Sequence, residues 1–121
     1  MSESIFIKSF KNPDEVKAPN LAKAEVVDFG GKRVTRITLE PGWKWSVCNK
    51  PLAGTDSCQV SHIGVVHSGR MKIVHDDGSE KEVGPGEAYT IAPGHDAWVV
   101  GDESVHTYEF EMDSETWSGD S

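Results

Sequence analysis

No stretch of this 121-residue sequence approaches the roughly 18 consecutive apolar residues that a membrane-spanning helix needs. A membrane is therefore not an expected partner. There is no cluster of basic residues either: 12 Lys and Arg stand against 20 Asp and Glu, for a net charge of −8. Phosphate backbones need a basic face, so nucleic acid is excluded as a partner. The first residues, Met1 to Val16, lack the long apolar segment of a signal peptide, which makes the cytoplasm the expected compartment. Only two cysteines occur, Cys48 and Cys58, and in that compartment they are thiols rather than a structural bridge. They flank a loop and are either ordinary buried thiols or a redox- or metal-linked pair. A sustained period of 3.6 is missing throughout, so no long amphipathic helix is expected. No Ser-His-Asp order, phosphate loop or paired-carboxylate spacing occurs, so nothing points to a nucleophile elbow or to phosphoryl transfer.

What the chain does have is a series of short β-rich runs punctuated by turn residues. Ala24 to Phe29 and Arg33 to Leu39 flank Gly30-Gly31, a hairpin signal. Trp43 to Cys48 reads as a strand with Trp43, Trp45 and Val47 on one face and Lys44, Ser46 and Cys48 on the other. Asn49 to Ser57 is loop by composition. Gln59 to His67, Arg70 to His75 and Glu80 to Val83 read as strands, the last two joined by the turn Asp76-Asp77-Gly78-Ser79. The stretch from Glu82 to Val100 then runs turn, strand, turn, strand, and places His95 just past the Pro93-Gly94 turn. A final strand spans Val105 to Met112, followed by a polar tail. Ser4 to Phe10 is an edge strand or an arm, and Asn12 to Val16 a turn. Nine or ten strands at spacings of about 8–12 residues mean a single all-β sandwich or barrel. The expected division is an arm over 1–23, a barrel over 24–112 and a tail over 113–121.

On these residues the sequence resembles a small single-domain cupin, a jelly-roll barrel, over about Val34 to Met112. The family's first motif opens and closes on glycines, here Gly42 and Gly69, the latter within VVHSGRMKI. Counted back from Gly69, His62 stands where the family has a metal-ligating glutamate. Counted forward from Gly42, Cys48 falls on the first motif histidine and Lys50 on the second. An insertion, Pro51 to Ser61, separates Lys50 from His62. In the second motif Gly86 and Gly94 fit, Ala92 takes the proline position, and the ligand histidine is replaced by Ala97. Side chains alternate along a strand, so His95 points to the same side as Ala97. The phrases GTDSCQ and PGHDAWVVGDE are similar to those of a bacterial branch of cupins with no settled activity.

The resemblance implies a divalent transition metal (Zn, Fe, Ni or Cu) held by His62, His95 and Cys48. Imidazole and thiolate suit those ions, and three such donors leave the open fourth position of a catalytic site. Lys50 is a poor ligand while protonated and is expected to attract an anionic small molecule instead. His67 faces away from His62, and His75 is expected to be solvated. Trp98 is read as core. In the last strand His106, Tyr108 and Phe110 share one face and Thr107, Glu109 and Glu111 the other, with the inward face undetermined. Three functions remain: a metal-binding cupin acting on a small polar or anionic molecule, a metal-free ligand-binding or sensor module, and a structural dimerisation domain. The family resemblance implies a homodimer in each case.

Overall fold

The structure, a computed structural model, describes residues 4–111. Met112 and the tail over 113–121 lie outside the described residues. Nine strands and two single-turn helices follow one another in the described chain. β1 (Glu15–Lys17) precedes a long hairpin of β2 (Ala22–Asp28) and β3 (Arg33–Leu39). Asp28 holds the hairpin turn, its Oδ1 accepting from the backbone amides of Gly30 and Gly31 at 2.8 and 3.0 Å. The stretch read as a turn at Glu15 is thus a strand, because it pairs antiparallel with β2 along Val16↔Glu25. Ser4 to Ser9 forms no strand. Ile5, Phe6 and Ile7 are exposed, and Phe10 lies against Tyr108 with ring centroids 5.9 Å apart.

The segment read as a strand at Trp43 is mostly helical. α1 (Trp45–Cys48) and α2 (Lys50–Ala53) follow an extended Lys44. Two local causes are visible. Pro51 sits in the first turn of α2 and Gly54 ends it in the left-handed region at φ 75°, the usual asymmetry of helix ends. The Asp96 carboxylate accepts the Ser46 amide at 3.0 Å, capping α1 from a distant strand. One consequence is a changed face for Cys48. At helical spacing Trp45 and Cys48 lie three residues apart on one side, and both are buried while Val47 is exposed.

β4 (His62–Ser68), β5 (Met71–His75), β6 (Glu80–Val83), β7 (Ala88–Ile91), β8 (His95–Val99) and β9 (Val105–Glu111) follow among the described residues. They form a six-stranded sheet in the order β1-β2-β3-β9-β4-β7 and a three-stranded sheet in the order β6-β5-β8. The last strand therefore lies in the middle of the larger sheet, pairing with β3 on one side and β4 on the other. The register sets its inward face: Thr107 is fully buried and Glu109 partly so, whereas His106 and Tyr108 look outward. Between the sheets Leu39, Trp43, Trp45, Val66, Met71, Val83, Val99 and Val105 form the core. Val105 is wholly excluded from water, which contributes about 1.5–3 kcal/mol. Trp98 is half-buried rather than core, with the Lys44 ammonium 4.9 Å above its ring. β8 alternates, and Trp98 points to the opposite side from Ala97 and Val99.

Candidate metal centre

His62 opens β4 and His95 opens β8, so each imidazole stands at the first residue of a strand in a different sheet. The two rings meet edge to face with centroids 5.1 Å apart. A third donor comes from the segment inserted after Lys50. That segment is stitched onto β8: the Cys58 amide donates to the His95 carbonyl at 2.7 Å, and the His95 amide donates back at 3.2 Å. The Gly94 amide also donates to the Cys58 carbonyl at 2.7 Å. These bonds bring the Cys58 thiol to His62 and His95, with one donor atom from each residue within 4.8 Å of the other two.

The donor atoms are oriented by partners behind them. His62 Nδ1 lies 2.7 Å from Glu109 Oε1, and His95 Nδ1 lies 3.0 Å from the Ala92 carbonyl. A carbonyl and a carboxylate accept, so both Nδ1 atoms carry protons. Each ring is left to present Nε2 to the cluster, the arrangement that outer hydrogen bonds impose on metal-ligating histidines. Glu109 is itself held, because the Tyr89 hydroxyl donates to its Oε2 at 2.7 Å. Thr107 Oγ1 lies 2.9 Å from that hydroxyl and donates to the Val65 carbonyl at 3.0 Å.

Electrostatics follow from this packing. Burial pushes the Cys58 thiol up, but hydrogen bonds from His62, His95 and the Val60 amide outweigh it and bring it down to about 6. Burial pushes His62 down, yet its bonds to Cys58 and Glu109 and their charges carry it up to about 10. Burial and the adjacent Glu109 carboxylate push the Tyr89 hydroxyl up, keeping it a donor. At neutral pH, without metal, an imidazolium stands between a thiolate and a carboxylate. One donor pair has the spacing of a tetrahedral metal site. Sγ of Cys58 and Nε2 of His62 are 3.7 Å apart. Zinc bonds of ordinary length at a tetrahedral angle would set them about 3.6 Å apart.

The cluster lines a cavity of about 290 Å³ between the sheets. Its walls are mainly apolar, including Ile37, Leu39, Trp43, Trp45 and Met71. A larger groove of about 480 Å³ lies between the edges of β6 and β7. It shares Tyr89 and Ile91 with the cavity, but none of the three donor residues lines it. The chemistry belongs to the smaller space.

No family model matches the sequence, and no curated protein does. Solved structures do. A Cupin 2 conserved barrel domain protein from Salinispora arenicola superposes at TM-score 0.60, covering 95% of this chain and 92% of its own, at 15% identity. The chain has a cupin fold. The polyketide cyclase RemF from Streptomyces resistomycificus shares this cupin architecture at TM-score 0.61 and 17% identity, over 89% of this chain and 79% of that one. An oxalate decarboxylase variant from B. subtilis matches at TM-score 0.66 and 14% identity over 94% of this chain. This chain spans 31% of that longer protein.

Within the cupin barrel the sequence-derived candidates separate. His62 and His95 come together. Cys48 does not join them: it is buried in the core, with Sγ 3.9 Å from Asn20 Nδ2, and the thiol beside the histidines is that of Cys58. Lys50 is outside the cavity lining and lies 3.5 Å from Asp56. His67 is exposed on the outer face. His75 is held in its turn, Nε2 lying 2.8 Å from the Pro93 carbonyl, and is partly buried rather than solvated. Sequence reasoning missed Cys58, Glu109 and Tyr89. A signal for Cys58 existed, since an insertion in a motif that ends beside a ligand position is a place to look for a replacement donor. Glu109 carried no such signal, because its face depended on how the last strand paired.

Proposed function

We propose that this cupin binds a divalent transition metal (Zn, Fe, Ni or Cu) through Cys58, His62 and His95 and encloses a small molecule beside it. The observation that carries the reading is the convergence of three N and S donors, two of them oriented from behind, on one wall of an internal cavity. One thiolate and two imidazoles suit a borderline ion and leave a fourth position for water or ligand. Bound there, a metal would polarise an oxygen or activate water or dioxygen. Tyr89 and Thr107 line the same cavity, and their hydroxyls hold Glu109 and the Val65 carbonyl in place behind it. The proposal extends to a cytoplasmic homodimer, for which sedimentation of the purified protein at two concentrations gives the check on assembly.

A metal-free ligand-binding cupin is the second reading, and one observation favours it. Among the described residues no buried side-chain nitrogen or oxygen lacks a hydrogen-bond partner. The thiolate–imidazolium–carboxylate chain therefore satisfies itself without an ion.

Elemental analysis of untagged protein, purified without chelator, separates the two. The metal reading expects close to one Zn, Fe, Ni or Cu per chain, lost several-fold in His62→Ala, His95→Ala and Cys58→Ser but retained in Cys48→Ser. Full metal content in all of the first three variants would remove the site, and no uptake by wild type even after loading would favour the metal-free module.

A further inference from the structure

The position at which the family pattern has its second-motif ligand is Ala97, and the structure makes that alanine informative. In β8, His95 pairs with His75 at the strand's start, whereas Ala97 pairs with Ile73 one layer further in. Ala97 is buried and lines the cavity. Its methyl group leaves room where a larger side chain would stand. The cavity lining also includes Ile37, Leu39, Trp43 and Met71, all apolar.

Outside the donor cluster and Glu109, cationic side chains are scarce in this space. No arginine lines the cavity. Its two lysines, Lys17 and Lys23, have exposed side chains, and each lies beside a carboxylate, Glu15 at 3.7 Å and Glu25 at 3.8 Å. The Tyr89 and Thr107 hydroxyls are committed to Glu109 and to the Val65 carbonyl. A dicarboxylate would enter with a second charge that nothing answers, and burying an unpaired charge is costly. An apolar body would instead remove its own surface and that of the walls from water.

We infer that the site, if the metal reading holds, selects a small ligand whose oxygen donors meet the metal and whose body is apolar, and that Ala97 is the residue that admits that body. The volume of about 290 Å³ corresponds to about ten water molecules at liquid density, which suits a single ring with a short donor group. Filling the gap at position 97 removes the space for the ring and leaves the metal donors where they are.

The test uses zinc- or cobalt-loaded full-length protein with its metal content measured first. Three probes are titrated calorimetrically: benzohydroxamate, acetohydroxamate with the same donors and no ring, and oxalate. Benzohydroxamate is expected to bind about tenfold or more tighter than acetohydroxamate, the effect of burying a ring, with oxalate weakest. Ala97→Leu should abolish that preference while keeping metal content and acetohydroxamate affinity. Ala97→Val, with a smaller intrusion, should reduce it, and thermal melts of both variants establish that they fold. Equal affinity for the two hydroxamates, tightest binding of oxalate, or an undiminished preference in a folded Ala97→Leu would each overturn the ligand class. Wild-type protein that takes up no metal overturns the underlying metal reading and this inference with it.

Discussion

At the scale of single residues, the site depends on groups outside the three donor residues. Glu109 fixes the tautomer of His62, and Tyr89 fixes Glu109. Removing such a support commonly costs about 10–100-fold in metal affinity. Glu109→Ala is therefore expected to weaken zinc binding by about that factor, read by competition with a chromophoric chelator. Glu109→Gln keeps an acceptor for Nδ1 and should lose less. Cys58 offers a second handle. Its thiolate absorbance in metal-free protein is expected to titrate near pH 6, and Cys58→Ser should abolish that transition. A transition that survives in Cys58→Ser would show that Cys58 is not its source.

At the scale of elements, two turn glycines, Gly69 after β4 and Gly30 between β2 and β3, differ in how tightly they are fitted. A Cβ on Gly69 would collide with the Ser104 carbonyl and stand 2.7 Å from the Val105 Cα, and the residue sits at φ +82°. Both penalties apply there, steric and conformational. Gly30 has a similar φ of +79° but open space around it. Gly69→Ala is expected to lower stability by about 3 kcal/mol or more. Gly30→Ala should lose about 1–2 kcal/mol, and urea midpoints with unchanged slope provide the comparison. The same scale explains where strand parity misled. Trp43 to Cys48 contains tryptophans and a valine suited to a strand, but Pro51, Gly54 and the Asp96 cap turn the segment helical. The Cys48 thiol, which strand parity set on the face opposite Trp45, is then buried on the same side as Trp45, and the insertion supplies the thiol beside the histidines.

At the scale of the molecule, stability should follow charge in two pH ranges. Asp14 binds the Asp28 amide and Lys8, and Asp28 binds the Gly30 and Gly31 amides and Arg33. Both carboxyls are held below their ordinary value, the backbone bonds being the first cause. Their stabilisation is present above the unfolded pKa of 3.8 and is lost as pH falls through the lower folded values. Thermal melts between pH 5 and 2 should decline, and Asp14→Asn should flatten part of that decline. In metal-free protein the site adds a second window. Cys58, lowered from 9.0, contributes above its unfolded value and loses that contribution as pH falls through about 6. His62, raised from 6.5, contributes below its unfolded value and loses that contribution as pH rises through about 10. Because each shift depends on the other's charge, the pair stabilises between those limits. Denaturation midpoints that do not respond to Cys58→Ser anywhere between pH 6 and 10 would rule this out.

Sequence alone was enough for what depends on neighbours in the chain. Turn residues and alternating runs marked the β2–β3 hairpin and the strands from Arg70 onward, and the glycine frame pointed to a cupin barrel. The same frame placed His62, and alternation along one strand placed His95 on the side of Ala97. What only the tertiary structure decided is everything that needs two distant segments at once. Which face of β9 looks inward was undetermined until it paired with β3 and β4, and that pairing brought Glu109 to His62 across 47 positions. Cys58 rather than Cys48 reached the histidines because the inserted loop hydrogen-bonds to β8. Local pattern carries periodicity and turn chemistry; convergence of donors is a property of closure, when strands far apart in sequence are set side by side.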